Sequence, residues 1–232
     1  MDTWIKFAIL IVVSYLLGSM PLSYLVARSR GIDLRQQGTQ QTGGGNLWRT
    51  TSHKLGLFVG IFDLLKGALM VFIAWRLGLD ASQQLLVGLA AVIGHNWPVF
   101  LRFHGGRGIA TTLGIIIILP CININEITTW PLVAFLVLAL VSLVFFRRTP
   151  VPILIGLIVL PIVSASVKEP LMVTLGYTAM TLILIIKRLI AQLSTEKRQI
   201  DIGQLLLNRL LFDRDVRNRA DWVSRKMTDK KK

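Results

Sequence analysis

Seven long apolar runs, near residues 4–27, 55–75, 82–101, 107–121, 130–146, 150–167 and 170–187, leave this chain few ways to fold. Inside lipid no water takes up a bare N–H or C=O, so each run must satisfy its own backbone as an α-helix. A helix needs about 20 apolar residues to cross the hydrocarbon layer. The fourth and fifth runs fall short, and are expected to be tilted or partial helices whose ends their neighbours shelter. The expected fold is therefore all-α: a polytopic integral membrane protein with about seven transmembrane helices. A hydrophobic content of 53% and a mean hydropathy of +0.62 over 232 residues agree with that class. The first run, WIKFAILIVVSYLLGSMPLSYLVA, lacks a clear basic start, and its GSMP break is not an A-x-A cleavage site. It is read as a retained helix rather than a signal peptide.

Lysine and arginine alternate between the two sides of these runs. With the N-terminus outside, Arg28, Arg30, Arg35, Arg49 and Lys54 fall in the first cytoplasmic loop, Arg102 and Arg107 in the second, and Arg147 and Arg148 in the third. The basic C-terminus is then cytoplasmic too, and only Lys6, Arg76 and Lys168 remain outside. Dropping any one span reverses everything after it, so the charge pattern supports an odd number. The excess of 26 Lys+Arg over 12 Asp+Glu clusters in loops and tail. Anionic lipid or phosphate is the expected partner, and nucleic acid is not. The chain divides into a membrane domain, 1–193, and a basic tail, 194–232, whose Leu206, Leu207, Leu210, Leu211 and Trp222 suit a helix lying on an anionic membrane surface. Cys121 is the only cysteine, so neither an internal disulfide nor a cysteine zinc cluster is expected.

Two segments on the same expected face carry chemistry-bearing residues. GTQQTGGGNLWR, residues 38–49, places Gly43, Gly44 and Gly45 in a row, and GHNWPVFLRFHGGRG, residues 94–108, carries His95, His104, Gly105, Gly106, Arg107 and Gly108. Glycine turns let successive N–H groups point into one concavity, which suits an anion, and the forked donors of Arg49 and Arg107 suit phosphate oxygens. The plainer alternative for GGRG is a tight turn between helices. Pro98 is expected to kink or thin the third helix below His95. Asp63 and Lys66 lie one turn apart on the second helix; an unpaired carboxylate there costs about 2.5–3.5 kcal/mol, so both are expected to face the protein interior, as packing or as support for a site. Asp33, Asp63, His95 and His104 show no ligand spacing, so no metal is expected. No G-x-S-x-G nucleophile elbow is present.

These residues resemble the PlsY-type acyl-phosphate:glycerol-3-phosphate acyltransferases of bacterial membranes. The resemblance runs from about residue 14 to 112, through GSMPLSYLVARSRGIDLR, GTQQTGGGNLWR, FDLLKG and GHNWPVFLRFHGGRGIAT. In the first motif Gly38, Gly43, Asn46 and Arg49 match, while Thr39 stands for serine, Gln41 for asparagine and Gly45 for threonine. In the second, Gly94, His95, Asn96, Gly105, Gly106 and Gly108 match, Arg107 replaces lysine and His104 replaces a basic residue. The third, R-H-x-x-N-I-x-R-L, survives only as IIKRLIAQL, with Lys187 and Arg188 supplying charge.

The resemblance implies a seven-helix fold with a cytoplasmic active site in the bacterial inner membrane. It implies transfer of a fatty acyl group from acyl phosphate to the 1-hydroxyl of glycerol 3-phosphate, without a cofactor, giving lysophosphatidic acid for phospholipid biosynthesis. His95, Thr39 and Arg49 are then the expected catalytic residues. Gly38, Gln41, Gly43, Gly44, Gly45, Asn46, Asn96, His104, Gly105, Gly106, Arg107 and Gly108 are expected to bind substrate. A catalytically silent lipid-binding relative is the alternative suggested by the changed motifs. A small transporter is a further one, for which the internal repetition that would favour it is not seen.

Overall fold

The structure, a computed structural model, describes residues 2–145, 151–190 and 201–215. All seven apolar runs are helical. The first is split: α1 (Thr3–Gly18) and α2 (Leu22–Arg28) are separated at Ser19, Met20 and Pro21. A short α3 (Gly44–Thr50) follows, then α4 (His53–Arg76), α5 (Ala81–Asn96), a 3-10 turn (Val99–Leu101), α6 (Ile109–Ile122), α7 (Trp130–Phe145), α8 (Val151–Ser166), α9 (Leu171–Leu189) and α10 (Ile202–Phe212). Four stretches, Thr3–Arg28, His53–Arg76, Ala81–Leu101 and Leu171–Leu189, are long and apolar enough to cross a membrane; α6, α7 and α8 are shorter apolar helices. Arg147, Arg148 and Trp222 lie outside the described residues.

Local chemistry sets several of the boundaries. Asp80 opens α5 with a capping box: its carboxylate accepts from the Gln83 N–H at 2.9 Å, and Gln83 Oε1 accepts from the Asp80 N–H at 3.2 Å. Pro98 stops α5 rather than kinking it, because a residue before proline is pushed out of the helical region and α5 ends two residues earlier. Arg102 and Phe103 then take left-handed backbone angles, and Gly108, at φ 71°, caps the start of α6. The three glycines at 43–45 also depart from expectation. They form no sharp turn: Gly43 caps α3 in an extended conformation, and Gly44 and Gly45 are its first helical residues. The positive φ angles of that loop belong to Gly38 and Gln40.

Helix pairs approach closely through small residues. A side chain at Gly18 would overlap the Ala91 carbonyl and one at Gly94 the Tyr15 carbonyl, which draws α1 onto α5; Gly67 and Gly114 do the same for α4 and α6. Between helices surrounded by lipid, such backbone proximity replaces much of the hydrophobic driving force. Leu85, Ile115, Leu119, Leu157, Leu160, Tyr177 and Met180 form the buried centre among α5, α6, α8 and α9. Large apolar side chains such as Phe58, Ile61, Leu140, Ile162 and Leu171 are exposed instead, a distribution that suits lipid as the surrounding solvent. At the end of the bundle away from the glycine segments, Gln84 and Asn123 bond each other's amides at 2.7 and 3.2 Å. There Glu169 accepts from the Thr128 N–H and hydroxyl and from the Ser164 hydroxyl.

Candidate active site

The loop before α3 is built around one buried side chain. Asn46 Oδ1 accepts from the Thr39 N–H at 2.9 Å, while Nδ2 lies 3.0–3.1 Å from the carbonyls of Leu34, Gln37 and Gln41. That amide holds the loop together, with both of its N–H groups engaged by backbone carbonyls. Thr39 and Gln41 thus enter these bonds through their backbones. Thr42 reaches the second segment: its hydroxyl donates to the His104 carbonyl at 3.0 Å, and a side chain built on Gly43 would lie 3.7 Å from Gly106 Cα. The two glycine segments, about 60 residues apart, are therefore in contact.

His95 stands at the end of α5, 9% exposed. Its carbonyl accepts from the Gly106 N–H at 3.1 Å, folding the turn back against the helix. A side chain at Gly106 would overlap His95 Nε2, and one at Gly105 would collide with the carbonyls of His95 and Asn96. Behind the imidazole lies a charged pair from α4. Lys66 Nζ is 2.8 Å from Asp63 Oδ1, 3.0 Å from the Gly18 carbonyl and 2.9 Å from His95 Nδ1; Asp63 Oδ1 is 3.3 Å from the same Nδ1. Asp63 and Lys66 face inward, as a charged pair at this depth must, and they do so against His95.

Arg107 reaches across to α9 and beyond it. Its Nη1 donates to the Lys187 carbonyl at 2.5 Å, its Nη2 pairs with Asp213 Oδ1 at 2.6 Å, and its Nε has no partner among the described residues. Asp213 follows α10 in a left-handed conformation, and the charges of Arg107, Arg188 and Arg49 all act on it. Burial pushes the Asp213 carboxyl above its ordinary value against that attraction, and pushes the Arg107 guanidinium below its own. Desolvation thus outweighs the ion pair on both sides. Lys187 donates to the Asn96 carbonyl and lies 5.0 Å over the Trp97 ring. The Asn96 amide itself is buried against Gly108, with neither end partnered among the described residues.

His104 is exposed, and its Nδ1 lies 2.7 Å from the Arg102 carbonyl within its own turn. The described part of the tail packs against the bundle. α10 docks under α9, with Arg209 bonding the Leu189 carbonyl at 2.6 Å and Asp215 at 2.7 Å, and Arg188 bonding the Leu210 carbonyl at 3.2 Å. Leu206 and Leu207 are exposed, and Leu210 and Leu211 are partly covered. The one clue in sequence was FDRD, a pair of acids inside an otherwise basic stretch.

A profile of the family described as glycerol-3-phosphate acyltransferase matches residues 8–195. The chain belongs to that family. Glycerol-3-phosphate acyltransferases 4 and 5 of two strains of Dehalococcoides mccartyi are 39% and 36% identical to it over 94% of this chain and 94% and 93% of theirs. The glycerol 3-phosphate form of PlsY, a crystal structure of an integral membrane glycerol 3-phosphate acyltransferase, superposes with a TM-score of 0.68 at 27% identity, covering 79% of this chain and 88% of that one. The residues described above come together at the junction of α3, α4, α5, α6 and α9, and the family match stops before α10.

Proposed function

We propose that this acyltransferase moves a fatty acyl group from acyl phosphate to the 1-hydroxyl of glycerol 3-phosphate, on the cytoplasmic face of a bacterial inner membrane. The carrying observation is the meeting of Gly43 with Gly106, beside His95 and Arg107, at one end of a bundle whose flanks are apolar. The acyl chain lies among the helices while both phosphates meet arginine and backbone N–H groups. The hydroxyl oxygen bonds the acyl carbon, the bond from that carbon to the phosphate oxygen breaks, and the hydroxyl proton ends on the phosphate product. Because the acyl group arrives activated, positioning and charge stabilisation suffice without a covalent intermediate. His95, with Thr39, polarises or orients the reacting groups. Arg49 binds the phosphate of glycerol 3-phosphate, and Arg107 that of the acyl donor. The cytoplasmic assignment rests on Arg28, Arg30, Arg35, Arg49, Lys54, Arg102 and Arg107 in the segments joined at this end, with Lys6, Arg76 and Lys168 at the other.

Purified protein in detergent, given acyl phosphate and glycerol 3-phosphate, is expected to form lysophosphatidate. His95→Ala should lower kcat by about 100-fold, the scale of losing one preorganised donor. Arg49→Ala should raise the KM for glycerol 3-phosphate at least about tenfold, since a bond to a charged group contributes about 1.5–3 kcal/mol. Unaltered turnover in both variants removes the site assignment. The silent-relative reading is favoured by one observation, the Asp213 carboxylate already seated on Arg107, and is adopted if the wild-type protein binds glycerol 3-phosphate without turnover.

A further inference from the structure

We infer that Lys66 and Asp63 are positioning residues that hold His95 as the tautomer with its proton on Nε2, so that the imidazole presents a donor, and not a base, to the glycine turn. The catalytic consequence rests on the function proposed above; the tautomer does not.

An ammonium group has three donors and no acceptor. Around Lys66 Nζ stand three candidate acceptors: Asp63 Oδ1 at 2.8 Å, the Gly18 carbonyl at 3.0 Å and His95 Nδ1 at 2.9 Å. The first two can only accept. The third is then the one that offers a lone pair, because a proton on Nδ1 would stand against an ammonium only 2.9 Å away. The competing acceptor for such a proton is Asp63 Oδ1, which is farther away at 3.3 Å and already takes a Lys66 proton. With Nδ1 accepting, a neutral imidazole carries its hydrogen on Nε2. An imidazolium would set a second N–H against the ammonium. The charged side chains that touch this ring are Asp63 and Lys66, both from α4.

Nε2 is also where a donor is useful. It has no hydrogen-bond partner among the described residues, and it lies against Gly106 where any side chain would overlap it. The proton thus faces the meeting point of the two glycine segments. A fixed donor there stabilises the oxygen on which negative charge gathers when the acyl carbonyl is attacked. Asp63 keeps Lys66 charged and in place. Lys66, through Nδ1, sets which way the imidazole is polarised, as ligand-side hydrogen bonds fix histidine tautomers elsewhere.

The test uses the full chain in detergent with 15N-labelled histidine. The protein has three histidines, and loss of one signal in His95→Gln assigns the resonance. The expected spectrum shows a protonated Nε2 and a bare Nδ1 for His95. In Lys66→Met the proton is expected to move to Nδ1, donated to Asp63, and kcat to fall at least 100-fold while the KM values for both substrates stay within about threefold. Should Lys66→Met fail to fold, Lys66→Met with Asp63→Leu removes the buried pair together, and loss of the Nε2–H preference is expected there as well. A wild-type proton on Nδ1, or a folded lysine variant that keeps both the Nε2–H tautomer and kcat, overturns the inference. A wild-type protein with the expected tautomer, shifted by the lysine variant but inactive towards glycerol 3-phosphate, leaves the positioning intact and ends the proposed reaction instead.

Discussion

Gly106 shows how a residue defined by what it lacks can govern a site. Any side chain there meets His95 Nε2, so Gly106→Ala should either push the imidazole off Lys66 or open the turn that the Gly106 N–H closes on the His95 carbonyl. Activity is expected to fall about 100-fold or more with little change in melting temperature, measured side by side on the same detergent preparation. Gly94→Ala, one residue before His95 but facing α1, should behave in the opposite way: overlap with the Tyr15 carbonyl is an overpacking defect of about 1–3 kcal/mol, read as a lower melting temperature. Both glycines belong to one stretch of sequence and match the same motif. Which of them touches a reacting group and which only lets two helices meet is decided by the direction each Cα faces, and that emerges only once α5 is packed. Asn46 makes the same point. Its identity marks the motif, yet its amide is consumed by four backbone groups of its own loop.

Helices were more legible than the segments between them. Apolar length and the demand that lipid places on backbone hydrogen bonds specify the apolar helices with little help from tertiary contacts. α3 escaped notice because three consecutive glycines disfavour a helix. They are accommodated because Gly44 packs on the α4 backbone, where a side chain would come within 3.1 Å of the Gly56 carbonyl and 3.2 Å of the Gly60 nitrogen. The helix of the tail was legible in the spacing of Leu206, Leu207, Leu210 and Leu211, but its docking was not, because its charges read as solvated, whereas Arg209 and Asp215 are buried together beneath α9. Its docking has a pH dependence of definite sign. Burial raises the Asp213 pKa in the docked state, so the docked tail holds a proton more tightly than the released one. Docking is then strongest below the ordinary carboxylate range and weakens as pH rises through the raised value. Spin labels at the exposed positions Arg102 and Leu207 should report a distance distribution that broadens on going from acidic to neutral pH. At the far end of the bundle, Gln84→Ala leaves Asn123 short of a partner and should cost about 1–3 kcal/mol of stability without altering either KM.

Taken whole, the molecule sorts its residues into a polar end, an apolar flank and a second, structural polar end. The orientation assigned to it has a direct check. In a Cys121→Ser background, cysteines at 44 and 106 should be labelled from the same side of the membrane and one at 168 from the other. Labelling of 44 and 106 from opposite sides contradicts both the contact of Gly43 with Gly106 and the site built on it. That the two glycine segments meet was readable from charge alternation, which puts both on one expected face. The partners within that face were not: Arg107 could be assigned to phosphate from its type and place, but its neighbour Asp213 comes from a segment 106 positions later.

The interruption between the first two helical pieces also has a bearing on events some distance from it. After Gly18 the chain stops winding for three residues, and no later amide among the described residues returns to that peptide oxygen, which is taken by the Lys66 ammonium. Were Pro21→Ala to let the rod wind on without a break, the Leu22 N–H would claim that oxygen, and one of three anchors steadying the ammonium would go slack. The wedge near the start of the chain therefore tunes a proton on a ring that it never touches.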